Sequence, residues 1–507
     1  MKILTRLNII LFLSALQIVG GTVLLYGLLV RFPVVYNIGI AISILSFLVI
    51  IKTNKPSSFK LSWVIIVLGL LPLGGLFYVL YGNKRATKLI KKHVDEHALI
   101  AKHLDQAGVP ATKEETSGRM ANLFHYIRAS SAYQPYTSTN VDYYTFGEHM
   151  FEAMLTEMRG AKKFIFLEYF IIYESKMWDE MLEILTQKVA EGVDVRLIID
   201  DFGSMKLFTN RYIRKLRRLG IKMVRFNPMR PLLFMFMNHR DHRKILVIDG
   251  HTAFNGGMNI SDEYINQKER FGVWKDTGVR LRGDAVWSFT LMFIEMWDTF
   301  CKPTERIDDY DAYKCMDEVK VEECETDGLV LPFGDCPLDD EQVGENVYID
   351  ILNQAKKYVY IFTPYLIISE RMTYALQMAV KRGVDVRLVT PHIPDKKLIF
   401  RLTRSYYRFL LSAGVKIYEY TPGFMHAKSF ISDDKVAVVG TINLDYRSLY
   451  LHFECATLIY QGSVLEEIKA DVMDTIEVSQ EVGQTNAKNT LLGAFTDAIL
   501  HLLSPLL

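Results

Sequence analysis

The feature that most constrains this chain is a motif that occurs twice. The first copy is His242-Arg243-Lys244-Ile245-Leu246-Val247-Ile248-Asp249 and the second is His426-Ala427-Lys428-Ser429-Phe430-Ile431-Ser432-Asp433. Both read His-x-Lys-x4-Asp, and both are followed by a small-residue turn and an asparagine: Gly256-Gly257-Met258-Asn259 and Gly440-Thr441-Ile442-Asn443. One His-x-Lys arises easily by chance. Two copies sharing the spacing of Asp and Asn do not, and they require two like-folded halves.

The flanking sequence repeats as well. Ala161-Lys162-Lys163-Phe164 matches Ala355-Lys356-Lys357-Tyr358, Gly192-Val193-Asp194-Val195-Arg196 matches Gly383-Val384-Asp385-Val386-Arg387, and Leu219-Gly220-Ile221-Lys222 matches Ala413-Gly414-Val415-Lys416. An offset this long is a domain duplication and not a solenoid repeat. Each half reads strand, helix, strand, helix, strand, then the motif strand: Phe164 to Ile172 as strand, Met177 to Glu191 as helix ending before Gly192, and Val195 to Ile199 as strand. Such alternation gives an α/β sheet covered on both faces.

The unbroken aliphatic run Ile245 to Ile248 reads as a buried strand. Side chains alternate along a strand, so each His and the Lys two positions on share a face, whereas the Asp seven positions on points the other way. The His/Lys pairs therefore read as anion-binding groups and Asp249 and Asp433 as structural. Lys and Asn supply donors for phosphate oxygens, and an imidazole can serve as nucleophile or general acid near neutral pH. Two sets provide one histidine for each role.

The 507 residues suit two or three domains, and a net charge of +1 announces no nucleic-acid field. The basic segment Arg211, Arg214, Lys215, Arg217 and Arg218 is the one nuclease-like feature. Five cysteines without a Cys-x-x-Cys pair indicate reduced thiols, and no His/Cys/carboxylate cluster has metal-ligand spacing. Hydrophobic residues reach 50 %, and the excess lies in three apolar runs, Leu7 to Val30, Val34 to Ile51 and Leu61 to Leu80. Each is near the roughly 20 residues that span a bilayer, so about three transmembrane spans are expected. The first run is too long for a signal-peptide core. The cluster Lys84, Arg85, Lys88, Lys91 and Lys92 points to a cytoplasmic body and could hold anionic headgroups. Pro231 to Met237 is an apolar acyl-chain or membrane contact or else a buried strand, and Leu491 to Leu503 reads as an apolar helix that packs on the body. The acidic stretch Cys301 to Glu345 reads as a solvated linker.

These motifs resemble the phospholipase D superfamily, and more narrowly the bacterial cardiolipin synthases. The residues that carry the resemblance include Asn238-His239-Arg240-Asp241-His242-Arg243-Lys244, Gly256 to Tyr264, Trp274-Lys275-Asp276-Thr277, Thr363-Pro364-Tyr365 and the terminal Ser504-Pro505-Leu506-Leu507. The resemblance implies two phospholipase D-like α/β/α sandwich domains in pseudo-two-fold arrangement, preceded by transmembrane helices. The expected layout is spans in 1–83, a helical connector in 84–136, domains at 137–302 and 328–507, and a linker at 303–327. It implies a catalytic set of His242, Lys244, Asp249, His426, Lys428 and Asp433, with Asn259 and Asn443 on the phosphate. Asp276 and Glu454, 34 and 28 residues beyond the histidines of their own halves, would orient those histidines. It implies transfer of a phosphatidyl group between two phosphatidylglycerols, giving cardiolipin and glycerol, without metal or cofactor, in a multi-pass protein of the bacterial cell membrane with cytoplasmic catalytic domains. A phospholipase D-type hydrolase and a phosphatidyltransferase with another alcohol acceptor are the alternatives, and a homo-oligomer is left open.

Overall fold

The computed structural model of the protein describes residues 6–82, 92, 96–97, 100–101, 103–104, 118–229, 238–314, 328–339, 341–483 and 491–506. They form two compact units, one from Met1–Thr87, Asn227–Arg240 and Asn489–Leu507, the other from Lys88–Phe226 and Asp241–Lys488.

In the first unit, the helices Arg6–Arg31 and Pro33–Lys52 cover the first two apolar runs, and Pro33 starts the second helix where its missing N–H is harmless. By length and composition Pro33–Lys52 is the one described helix apolar enough to cross a membrane, with a mean hydropathy of 2.5. The third expected span does not form as one helix. Ser57–Gly69 has 13 residues, about 20 Å of rise against the roughly 30 Å of a bilayer core, and Gly74–Phe77 follows after a break. Pro72 lies in the break, and the glycines beyond it allow a close approach. A Cβ on Gly75 would lie 2.4 Å from the Ser43 Cα, and Gly75 N–H donates to the Ser43 hydroxyl at 3.0 Å. The segment thus turns back to press its backbone on the second helix. The terminal helix Leu491–Leu503, expected in the second domain, groups with these helices instead. Ser62 donates to the Leu502 carbonyl, and Leu506 packs on the cluster of Ile50, Trp63, Val67 and Tyr78.

The second unit carries both halves of the repeat. We number its main strands β1 (Thr139–Tyr144), β2 (Phe164–Tyr169), β3 (Asp194–Asp200), β4 (Lys222–Phe226), β5 (Lys244–Ile248), β6 (Thr252–Gly256) and β7 (Gly278–Gly283) in the first half. The second half has β8 (Leu329–Asp335), β9 (Tyr358–Phe362), β10 (Asp385–Pro391), β11 (Lys416–Tyr420), β12 (Ser429–Ser432), β13 (Val436–Gly440), β14 (His452–Tyr460) and β15 (Ser479–Glu481). The first sheet runs β1-β7-β6-β5-β2-β3-β4 and the second β8-β14-β13-β12-β9-β10-β11-β15. The order β7-β6-β5-β2-β3-β4 is mirrored by β14-β13-β12-β9-β10-β11, with three parallel strands joined to an antiparallel set in each. The expected alternation is therefore present in both halves. Ser175 caps the helix Lys176–Ala190 by accepting the Trp178 N–H, and Gly192 follows it at φ +90°. The helix Val286–Phe300 is buried along its length from Val286 to Thr299, and Phe293 stacks on Phe166 of β2 at 4.4 Å.

The linker expectation fails at both described ends. Residues 302–314 pack on the first half: Trp297 donates to the Glu305 carbonyl, Tyr313 to Asp194, and Ile307 and Tyr310 are buried. Glu345 is fully buried and bonded to Ser369 and Tyr450. Residues 315–327 lie outside the described set, as do Pro231 to Met237 and most of the basic cluster. Of that cluster, Lys92 donates to the carbonyls of Asp298 and Thr299 at the end of Val286–Phe300, which makes it a helix cap and not a free headgroup ligand.

Asp249 and Asp433 serve the scaffold. Asp249 sits at φ +52° and accepts the backbone N–H groups of Lys162, Lys163 and Phe164 at 2.7, 2.7 and 2.9 Å. Asp433, at φ +58°, does the same for Lys356, Lys357 and Tyr358 at 2.7, 2.8 and 2.9 Å. Each carboxylate ties the end of the motif strand to the start of β2 or β9, which corrects their place in the catalytic set. Asp249→Ala and Asp433→Ala should each lower stability by roughly 2–4 kcal/mol, since charge-assisted bonds are lost, with the Asn variants milder. Thermal unfolding measures this, and activity per folded molecule should survive; a folded but inactive variant would return the aspartates to the chemistry.

Candidate active site

His242 and His426 each sit just before their motif strand, and the two halves hold them reciprocally. The His242 N–H donates to the Phe453 carbonyl at 2.9 Å, and the His426 N–H donates to the Lys275 carbonyl at 2.8 Å. Two residues on, the strand pleat returns a lysine to the same face. Lys244 donates to the His242 carbonyl and Lys428 to the His426 carbonyl, and all four residues are buried. The Lys428 nitrogen also lies 2.9 Å from His426 Nδ1 and 3.2 Å from its Nε2.

The carboxylates are exchanged between halves. His242 Nδ1 lies 2.9 and 3.0 Å from the oxygens of Glu454, and His426 Nδ1 lies 2.6 Å from Asp276 Oδ2. The expectation that each acid orients the histidine of its own half is corrected. The cause is a strand pairing that offsets along the chain do not reveal. Val273–Lys275 runs parallel to Gly423–Met425, which places Asp276 beside His426; Phe453 receives His242 and places Glu454 beside it. With each Nδ1–H directed at a carboxylate, each Nε2 is left as the reacting atom.

The turn residues differ between halves for a physical reason. A Cβ at Gly257 would lie 2.1 Å from Asp276 Oδ1, so the carboxylate occupies the space of a side chain. At the matching position Thr441 donates its hydroxyl to Glu454. Asn259 accepts the Ile171 N–H at 3.1 Å and gives one amide hydrogen to the Tyr264 hydroxyl at 2.8 Å, which leaves one N–H for a phosphate. The Asn443 side-chain oxygen is buried and makes no hydrogen bond among the described residues.

Burial sets the protonation. It pushes His426 down to about 4, helped by Lys428 and opposed by Asp276. His242 falls well below the usual histidine range, through burial first and then Lys244, His452, Lys428 and His426. Lys428 is pushed down to about 7 and Lys244 to about 8, again by burial foremost. Burial raises Glu454 well above the carboxylate range, against Lys244 and Thr441. A depressed imidazole and a raised carboxyl have converging proton affinities, so one proton serves the His242–Glu454 bond. The site is buried, burial favours the neutral form of both imidazoles, and two amines stand beside them to hold a charge, which suits an anionic phosphodiester.

Sequence reasoning missed His452. Its ring lies 5.5 Å from that of His242 and its Nδ1 lies 3.9 Å from Glu454 Oε1. The available signal was position: His452 precedes Glu454 by two residues, as Trp274 precedes Asp276, and Trp274 lies 5.4 Å from His426. Folding also brings together a His/carboxylate trio that the linear spacing hid. Candidate ligand atoms of His242, His452 and Glu454 lie within 4.8 Å of one another.

Comparison with known proteins agrees with this geometry. A family model described as cardiolipin synthase, PLD-like domain, matches residues 154–282 and 348–475. Over 91 % of its length the chain is 47 % identical to an uncharacterized protein of Streptococcus mutans, spanning 99 % of it. It is 36 % identical to cardiolipin synthase 2 of Bacillus cereus over 90 % of this chain and 89 % of that one. The fold matches phosphatidylserine synthase of Haemophilus influenzae with a TM-score of 0.56 at 15 % identity, covering 72 % of this chain and 95 % of that one. Two α/β halves that exchange carboxylates across paired His/Lys motifs define a phospholipase D-like phosphatidyltransferase. Within that class, the chain belongs to the cardiolipin synthase family.

Two outcomes are expected. Gly257→Ala forces its methyl into the Asp276 carboxylate and should lower kcat by about 10²-fold through misplacement of His426, with little change in thermal stability. Near-normal kcat would show that Asp276 can move freely. Second, Lys428 and Lys244 are charged only below their lowered pKa values, so kcat/KM should fall as pH rises through about 7 to 8. Bound lipid phosphate raises both values, so the basic limb of kcat should lie at higher pH than that of kcat/KM. Coincident limbs would rule out the lysines as phosphate ligands.

Proposed function

We propose that the protein condenses two phosphatidylglycerols into cardiolipin and glycerol through a phosphatidyl-histidine. The observation that carries this reading is the reciprocal pairing of His242 with Glu454 and His426 with Asp276 beside two buried lysines. It supplies two imidazoles, each oriented by a carboxylate, around one anion site. His242 Nε2 attacks the phosphorus of the first lipid while His426 protonates the departing glycerol oxygen. His426 then takes the proton from a glycerol hydroxyl of the second lipid, whose oxygen attacks phosphorus and releases His242. Lys244, Lys428, the remaining amide hydrogen of Asn259 and the Asn443 amide hold the non-bridging oxygens as charge develops. The strongly depressed His242 supports its role as attacker, because that role requires the neutral ring. His426 must carry a proton once per turnover, and the phosphate anion beside it favours that state.

A lipid donor and a lipid acceptor imply a site served by the membrane. The apolar helices Arg6–Arg31 and Pro33–Lys52 support a multi-pass anchor in the bacterial cell membrane, with the second unit on the cytoplasmic side. Purified full-length protein in mixed micelles should convert phosphatidylglycerol to cardiolipin and glycerol in equal amounts. Phosphatidic acid as the main product would make it a hydrolase, and product formed only with a different added alcohol would make it another phosphatidyltransferase. His242→Ala and His426→Ala should each lower turnover by roughly 10³-fold or more. In His426→Ala, labelled phosphatidyl should accumulate on His242; label on His426 in the converse variant alone would reverse the roles.

A further inference from the structure

The basic segment Arg211 to Arg218 is a surface helix, and it has a counterpart in the second half. Asn210–Arg218 joins β3 to β4, and Lys397–Leu411 joins β10 to β11. Neither helix contains an acidic residue. In the longer one, Lys397, Arg401, Arg404 and Arg408 recur at i, i+4, i+7 and i+11, which is one face of a helix, and all four are exposed. Arg404 is held by Glu419 at 2.8 and 2.6 Å. Leu398 and Phe409 flank this stripe and are 54 and 53 % exposed. The adjacent helix Glu370–Lys381 adds Tyr374 at 66 % and Met378 at 52 %, one turn apart, and its Gln377 amide donates to the Phe409 carbonyl at 3.1 Å. Aligned on the turn glycines Gly192 with Gly383 and Gly220 with Gly414, the first half has Glu183, Gln187 and Lys215 where the second has Tyr374, Met378 and Phe409. The apolar side chains beside the basic stripe are therefore a property of one half and not a demand of the fold.

We propose that the helices Glu370–Lys381 and Lys397–Leu411 form a docking face of the second unit for the surface of an anionic lipid bilayer. The basic stripe attracts lipid phosphates, and the apolar side chains beside it enter the boundary of the acyl region, as on helices that lie in a membrane interface. A nucleic acid strand would meet the cations and could stack on the rings, but it leaves Leu398 and Met378 in water. A second copy of the chain, docked through the same face, would set cations against cations. The face leads into the candidate active site. Lys396, just before the helix, lies over the Tyr365 ring at 5.5 Å, and the Tyr365 hydroxyl donates to Asp395 at 2.8 Å. Thr403, on the helix, accepts the Leu366 N–H at 3.2 Å, and Thr363 accepts the N–H of Leu444, the neighbour of Asn443, at 3.1 Å. A lipid drawn to this face thus arrives beside the proposed phosphate ligands. The inference rests on the phosphatidyl-transfer reading for that last consequence and not for the docking itself.

The test uses full-length protein in phosphatidylcholine nanodiscs, with and without phosphatidylserine, that carry a trace of diazirine-labelled lipid. After irradiation, mass spectrometry locates the label. It should fall on the peptides of Glu370–Lys381 and Lys397–Leu411, more heavily with phosphatidylserine, and not on the matched helices Lys176–Ala190 and Asn210–Arg218, which present no exposed large apolar side chain. No label on the first pair, or equal label on both pairs, overturns the proposal. The double variants Arg401→Glu with Arg408→Glu and Leu398→Asn with Phe409→Asn should each cut this labelling by about fivefold or more, the factor that a single basic residue contributes at an anionic surface. Salt at about 1 M, which shortens the screening length to about 3 Å, should erase the effect of the arginine pair. Turnover of phosphatidylglycerol in the discs should fall in parallel, whereas turnover of monomeric short-chain phosphatidylglycerol in solution should stay within about twofold of the wild type. An equal loss on both substrates marks a structural role and overturns the proposal. So does unchanged labelling in variants that lose a dimer by light scattering, which gives the face to a second copy, or that release an oligonucleotide held by the wild type, which gives it to nucleic acid. Because labelling needs no turnover, these results stand whether or not the lipid product proves to be cardiolipin.

Discussion

The catalytic centre depends on the exchange of carboxylates between the halves. Neither His242 nor His426 is oriented by its own domain: Glu454 and Asp276 come from the opposite one, and the backbone N–H of each histidine is bound across the same divide. A half alone would hold an imidazole without a fixed tautomer, beside a buried lysine without a counter-charge. Removing one partner of a buried ionic pair is far more destabilising than never having built it. The duplication is thus a requirement of the site as well as a trace of how the chain arose, and the parallel pairing of Val273–Lys275 with Gly423–Met425 makes the dependence mutual.

Burial then does most of the chemical tuning. The same desolvation that lowers both histidines also lowers Lys244 and Lys428 and raises Glu454. An arriving phosphodiester anion favours the ammonium forms of both lysines and the imidazolium form of the acid/base. Binding energy is in this way coupled to protonation.

Local features of the fold were legible in the sequence and non-local ones were not. The motif strands, the helix Lys176–Ala190 with Gly192 at its end and the shared face of His and Lys follow from periodicity and cap chemistry. The parity of the strand also separated Asp249 and Asp433 from the site, against their place in the family motif, and their bonds to three successive backbone N–H groups give the reason. The partners of the histidines were not legible, because 34 and 28 residues of offset say nothing about a strand pairing between halves. The third apolar run looked like a span because hydropathy does not register that Gly75 permits contact with the Ser43 backbone. The acidic linker was misread because charge counting cannot tell Glu345, buried against Ser369 and Tyr450, from an exposed glutamate.

A duplicated site faces a difficulty that a single one does not. Two equal histidines would compete for the same phosphorus and the same proton, yet a double displacement needs one attacker and one acid in any turnover. The scaffold resists differentiation, since its strands and motif residues are matched by the fold itself. What can diverge is the ring of side chains around each imidazole. Gly257 gives Asp276 room to sit against the turn, whereas Thr441 donates to Glu454, so the two carboxylates have unlike solvation. Trp274 flanks one histidine and His452 the other. In the proposed double displacement, unlike neighbours at matched positions are what would distinguish the attacking half from the one that moves protons, without any change in the motif that both halves share.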